Sequence, residues 1–228
     1  MSLTSSQQGF VIRGSAEKNW RVTSGVIYIR RRTRNIKLGS IGGSMAEFPD
    51  HPFWDFSLEV YMAGGVGQAC LELQDAHELD VNVLLFCLWV GASGRGALED
   101  TQMSDVLGAV HDWHHNIVRG LRTIRTYMKG GVGSAPTETI ESLRQRIQKT
   151  EIDCEHAEQL MLAGSIDLEE VPDRKTEDRL ADTVENVSTY FRTFGIVSDA
   201  DRENLAHILS VAFEDIAGDQ IQAAAARL

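Results

Sequence analysis

Between residues 52 and 216 apolar positions recur at spacings of three and four, the period of helices that bury one face. Trp54, Leu58 and Tyr61 mark the first such helix. Phe53, Phe56 and Val60 widen its stripe, and Pro52 suits a first helical position. AGGVG (63–67) breaks it. A second helix is predicted over 66–78, with Val66, Ala69, Cys70 and Leu73 inward and Glu72, Gln74, Asp75 and Glu78 mostly outward.

The third segment differs in kind. VNVLLFCLWV (81–90) is apolar at every position except Asn82. It is far shorter than the ~20 residues of a membrane span, so its lack of a polar side predicts a central helix wrapped by others. Asp80 is placed to cap it, accepting an orphan N–H and complementing the helix dipole. An unpaired buried amide costs about 1–3 kcal/mol, so Asn82 is expected to satisfy a neighbouring group; a ligand-binding role is the alternative. GASGRG (91–96) ends the helix.

Two long amphipathic stretches follow. Val106, Val110, Trp113, Ile117, Leu121, Ile124 and Met128 form a heptad-like seam, and after KGGVGSAP a second seam runs Ile140, Leu143, Ile147, Thr150, Cys154, Ala157 and Met161. Joined by a short Gly-rich loop, they should fold back as an antiparallel hairpin. Residues 165–175, acidic and containing Pro172, read as a linker. Leu180, Val184, Val187, Phe191 and Phe194 then line a helix closed by Gly195. Ser198 with Asp201 resembles a capping box ahead of a last helix lined by Leu205, Ile208, Leu209, Ala212, Phe213 and Ile216. The predicted fold is all-α: a compact helical bundle with a long antiparallel helical hairpin and two additional C-terminal helices. Its divisions are a basic segment 1–44, a bundle core 45–164, the linker 165–175 and a C-terminal helical pair 176–228.

Charge sharpens the first boundary. Residues 1–44 hold eight of the 22 Lys and Arg residues but one of the 33 acids, while the formal net charge of the chain is -11. So acidic a body repels nucleic acid and anionic membrane. RRRTR (30–34 with its neighbours) is a weak nucleic-acid signal, since any arginine cluster fits it. The first 44 residues read as a disordered basic arm or as sequence upstream of a start at Met45. Cys70, Cys87 and Cys154 form no CxxC pair and lie among apolar positions, which predicts buried reduced thiols in a cytoplasmic protein.

FWDFSLEVY, GGVGQACLELQ, DVNVLLFCLW and Trp113 ahead of VRGLRTIR together resemble a small uncharacterised helical family of Proteobacteria, a domain of unknown function. The resemblance covers roughly residues 52–160. Gly65 and Gly120 stand where its pattern leads one to expect proline. It implies a helical fold and brings no activity with it.

Candidate chemistry is sparse. In HDWHHN, His111 and His115 lie one turn apart and could share a divalent ion. No further ligands accompany them, and Trp113 as the seam residue directs His114 toward solvent, so neither metal nor cofactor is predicted. Arg119, Arg122 and Arg125, with Lys129 beyond, make the one basic stripe of the acidic body. It reads either as an anion site, which Arg95 might join, or as internal compensation of Glu72, Asp75, Glu78, Asp80 and the acidic last helices. The Gly-rich stretches lack strand context and read as turns. With no catalytic set, the leading reading is a non-enzymatic module that docks a protein partner through its surface and the arginine stripe. The alternative is a binder of a small anionic or apolar molecule, or an enzyme, with a pocket near the central helix. The candidate binding residues are Asp80, Asn82, Arg95, Trp113, Arg119, Arg122 and Arg125.

Overall fold

The computed structural model describes residues 48–195 and 197–228, all helix and connections with no strand among them. The basic segment 1–44, and with it the reading of RRRTR, lies outside the described residues. The apolar segment forms α3 (Val81–Ala92), in which every residue from Asn82 to Gly91 is buried. Asp80 caps it as expected, its Oδ1 accepting the Asn82 N–H at 2.8 Å.

Around α3 stand α1 (Pro52–Met62), α2 (Val66–His77) and α7 (Thr176–Phe191), the last its most extensive neighbour. A methyl group on Gly91 would lie 2.1 Å from Thr183 Oγ1 and 2.5 Å from the Thr183 nitrogen, so glycine is what lets these two backbones meet. Polar side chains of α7 close both ends of the contact. The Tyr190 hydroxyl accepts from the Asp80 N–H at 2.8 Å and donates to the Asp80 carbonyl at 3.2 Å. Asn186 accepts from Leu98 N–H at 2.6 Å and donates to the Gly96 carbonyl at 3.2 Å. At the α1–α2 corner Gly65 has φ +86°, a value closed to proline, whose ring fixes φ near -65°. Glycine is therefore what this backbone requires, whatever the resemblance leads one to expect there.

The C-terminal helices pack on this core. The segment 165–175 is pinned along its length: Val171 N–H donates to the Gly94 carbonyl, and Arg174 pairs with Asp182. α8 (Asp199–Ala212) begins with the Ser198–Asp201 capping box and lies against α2, where His77 Nε2 stands 3.0 Å from Asp201 Oδ1. A further short helix, α9 (Gly218–Ala225), covers α7 and α8. Cys70 and Cys87 are buried and Cys154 half-buried, all unpaired. Among the described residues no helix is long and apolar enough to cross a membrane.

The hairpin is present, with one departure from its predicted seams. Its first arm is α4 (Asp100–Trp113), a π turn over His114–Val118, and α5 (Arg119–Tyr127); its second is α6 (Thr137–Gly164). A π turn carries one residue more than an α turn. Beyond it the inward position therefore moves on by one: Val118 and Arg122 face inward, while Ile117 and Ile124 are exposed. The same turn brings His114 into the interior, contrary to its expected place at the solvent. On α6 the buried residues are Ile140, Gln148, Glu151, Glu155, Glu158, Gln159 and Leu162; all but Ile140 and Gln159 lie one position on from the apolar seam, and Leu143 and Met161 are exposed. Charged and amide side chains, with apolar Ile140 and Leu162 at either end, fill the buried face of this arm.

Candidate functional site

The inner face of α6 presents Glu151, Glu155 and Glu158, spaced by four and three and so stacked on one side of the helix. Three buried carboxylates in a row need cations, and the facing arm supplies them. Arg122 donates from Nε to Glu151 (3.0 Å), from Nη2 to Glu155 (2.8 Å) and from Nη1 to Gln74 of α2 (2.7 Å). Arg125 donates from Nε and Nη2 to Glu151. Arg119, at the rim, pairs with exposed Glu78 at 3.1 Å. The arginine stripe is thus compensated internally, as its second reading held, with Glu151 and Glu155 as the main partners rather than Glu72, Asp75 or the last helices.

Deeper in, three elements converge. His114 Nδ1 from the π turn lies 3.1 Å from Glu158 Oε1 and 2.9 Å from Asp80 Oδ2 at the mouth of α3. Hydrogen-bond geometry is met only toward Glu158; Asp80 Oδ2 is buried with no donor aligned on it. Asn82 joins the group through both ends of its amide. Its Nδ2 donates to Glu158 Oε2 at 2.6 Å, and its Oδ1 accepts from Gln159 Nε2 at 2.8 Å. The buried amide is therefore satisfied by α6.

Burial and charge set the protonation of this group. Desolvation alone would lower the pKa of His114, but Asp80 and Glu158 outweigh it and push it up to about 9. Burial raises Glu158 to about 7, with the Asp80 charge adding to it and His114 opposing. Burial likewise raises Glu155 to about 7; Arg122 pulls the other way, yet it must also serve Glu151, whose charge pushes Glu155 further up. Over these groups lies a cavity of about 80 Å³ lined by Tyr61, Leu71, Gln74, Asp80, Val81, Asn82, His114, Arg122, Arg125, Glu151 and Glu155. Three carboxylates of this lining, Asp80, Glu151 and Glu155, face two guanidiniums and one imidazole, and Glu158 joins the group through His114 and Asn82.

Of the residues expected from sequence, Asp80, Asn82, Arg122 and Arg125 meet at this cavity. Arg119 stays at its edge. Trp113 is half-buried outside the lining, its Nε1 donating to the Cys154 carbonyl at 3.0 Å. Arg95 sits at the far end of α3, a helix about 18 Å long; its guanidinium lies 4.4 Å over the Trp89 ring and pairs with Glu170. It does not join the stripe. His111 and His115 are exposed, with ring centroids 4.4 Å apart. Sequence reasoning missed His114, Glu151, Glu155, Glu158 and Gln159. The available signal was a run of acids at helical spacing on one hairpin arm opposite arginines on the other, which does not tell buried acids from exposed ones.

Fold and site together define an all-helical domain whose core carries a carboxylate–imidazole knot. Residues 52–162 match the model of a family described as a protein of unknown function (DUF2390), a stretch from the start of α1 almost to the end of α6 that holds every residue of the knot. No curated protein and no solved structure matches the chain.

Proposed function

We propose that residues 52–162 form a binding domain for a small cation, held at the cavity where α2, α3, α5 and α6 meet. The observation that supports this most is Asp80 Oδ2, a buried carboxylate oxygen whose charged neighbour, His114 Nδ1 at 2.9 Å, is shared with Glu158 and not aligned on it. Cavity size agrees: about 80 Å³ is well below the ~300–1,000 Å³ of pockets for drug-sized ligands. A cation is favoured over the anion that the arginine stripe alone would suggest, because Arg122 and Arg125 already serve Glu151 and Glu155. Thermal shift against ammonium, small amines, divalent metals, phosphate and carboxylates tests the reading. A bound cation raises stability by mass action, about 2.7 kcal/mol at 100 times Kd. A shift with phosphate and none with any cation would overturn it.

A second reading, docking of a protein partner, is favoured by the exposed apolar side chains on the outer side of the hairpin. Ile124 is 51% and Tyr127 74% exposed, with Ile117 nearby. On this reading Ile124→Glu with Tyr127→Glu abolishes co-purification of a partner, and Arg119→Glu leaves it intact. The reverse pattern would return the contact to the arginine stripe.

A further inference from the structure

We propose that Asp80, His114 and Glu158 are the protein ligands of a divalent first-row transition metal ion. This rests on the cation reading above and names its ligand class. One ligand atom from each of Asp80, His114 and Glu158 lies within 4.8 Å of the other two. The imidazole nitrogen stands 2.9 Å from one oxygen and 3.1 Å from the other. Ligand atoms ~2.0–2.2 Å from one ion stand roughly 3 Å apart when their bonds meet near a right angle. His114 already stands at that spacing from each carboxylate, so an ion taking the place of the proton on Nδ1 is met by all three groups with the carboxylates adjusting around it.

Asn82 prepares both carboxylates for this task. Its backbone N–H holds Asp80 Oδ1 at 2.8 Å and its side-chain amide holds Glu158 Oε2 at 2.6 Å. Each carboxylate thus has one oxygen fixed from behind and presents the other to His114 Nδ1, the outer-shell support that orients metal ligands. The buried Asp80 Oδ2, which lacks an aligned donor, is the oxygen that gains a partner. One nitrogen and two oxygens suit Zn²⁺, Mn²⁺, Fe²⁺ or Co²⁺ better than Ca²⁺, which takes six to eight oxygens. Three protein ligands leave further coordination positions, and the cavity beside Asp80 and His114 gives them room for water.

The full chain, stripped with a chelator, is titrated with Zn²⁺ by calorimetry and with Co²⁺ by visible absorption. The expected result is one Zn²⁺ per chain, and Co²⁺ ligand-field bands displaced by Zn²⁺. His111→Ala with His115→Ala leaves both signals, since that exposed pair is not the site. Glu158→Gln, which keeps the shape and the Asn82 contact, removes the Co²⁺ bands. Asn82→Ala weakens Zn²⁺ binding about 10–100-fold. Wild-type protein that binds neither Zn²⁺, Mn²⁺, Fe²⁺ nor Co²⁺ overturns the proposal, as does binding lost with His111 and His115 and kept in Glu158→Gln. A stabilising shift with ammonium or amines alone would overturn the metal and keep the cation reading; silence from every cation overturns both.

Discussion

Two neighbours of α3 answer the same demand by different physics. Against α7, burial is apolar and close: Gly91 admits the Thr183 backbone, and Val184, Val187 and Phe191 are each at most 2% exposed. Against α6, burial is ionic: Asn82 reaches Glu158 and Gln159, and the next two turns of that helix carry Glu155 and Glu151. The apolar side gains from every methylene removed from water. The ionic side gains only while each charge keeps its partner, because a buried carboxylate left alone costs several kcal/mol. The first contact should therefore tolerate pH and fail on loss of volume, and the second should do the opposite.

The largest effect is expected on the apolar side. Phe86 is 1% exposed at the centre of α3, and Phe86→Ala should cost about 3–5 kcal/mol, read as a lowered urea midpoint that varies little between pH 5 and pH 8. On the ionic side, Arg122→Met leaves Glu155 without its guanidinium. The cost should be about 2–3 kcal/mol at pH 8, below the range for fully buried pairs because Arg122 keeps a quarter of its side chain exposed. At pH 5 the cost should shrink. Burial first, then the Glu151 charge, raises the folded pKa of Glu155 from 4.5 to about 7, so the folded state holds the proton more tightly than the unfolded chain. That contribution is fully present below pH 4.5 and is lost as pH rises through 7. Wild-type Tm should accordingly fall from pH 5 to pH 8, and Glu155→Gln should flatten the profile. A pH-independent Arg122→Met penalty would remove the contrast between the two faces. The smallest effect belongs to Arg119→Ala at the exposed rim, under about 0.5 kcal/mol by denaturation.

The two faces also differ in how much of them the sequence discloses. VNVLLFCLWV, the Asp80 cap, the helix over 66–78 and the Ser198–Asp201 box each rest on a local rule that tertiary contacts reinforce. Their helices form close to where the pattern places them. The α6 ladder escapes such rules. Glu151, Glu155 and Glu158 at helical spacing look the same whether they face water or arginine. Only the facing arm distinguishes the cases, and the π turn moves that arm's inward position by one residue. A seam counted at a constant period therefore places Ile117 and Ile124 inside and His114 outside, the reverse of what is found. Asp80 and Asn82 were legible because they interrupt an apolar run. Their partners were not, because nothing in an acidic amphipathic helix marks which acids are buried.

The wide turn at His114–Val118 holds one residue more than a regular helix needs to join the faces on either side of it. Dropping a single codon there, at exposed Asn116 for example, would leave Val118, Arg122 and Arg125 aimed at α6 while withdrawing the imidazole. Read in the other direction, one inserted triplet is enough to graft a histidine onto a pre-existing ladder of paired charges.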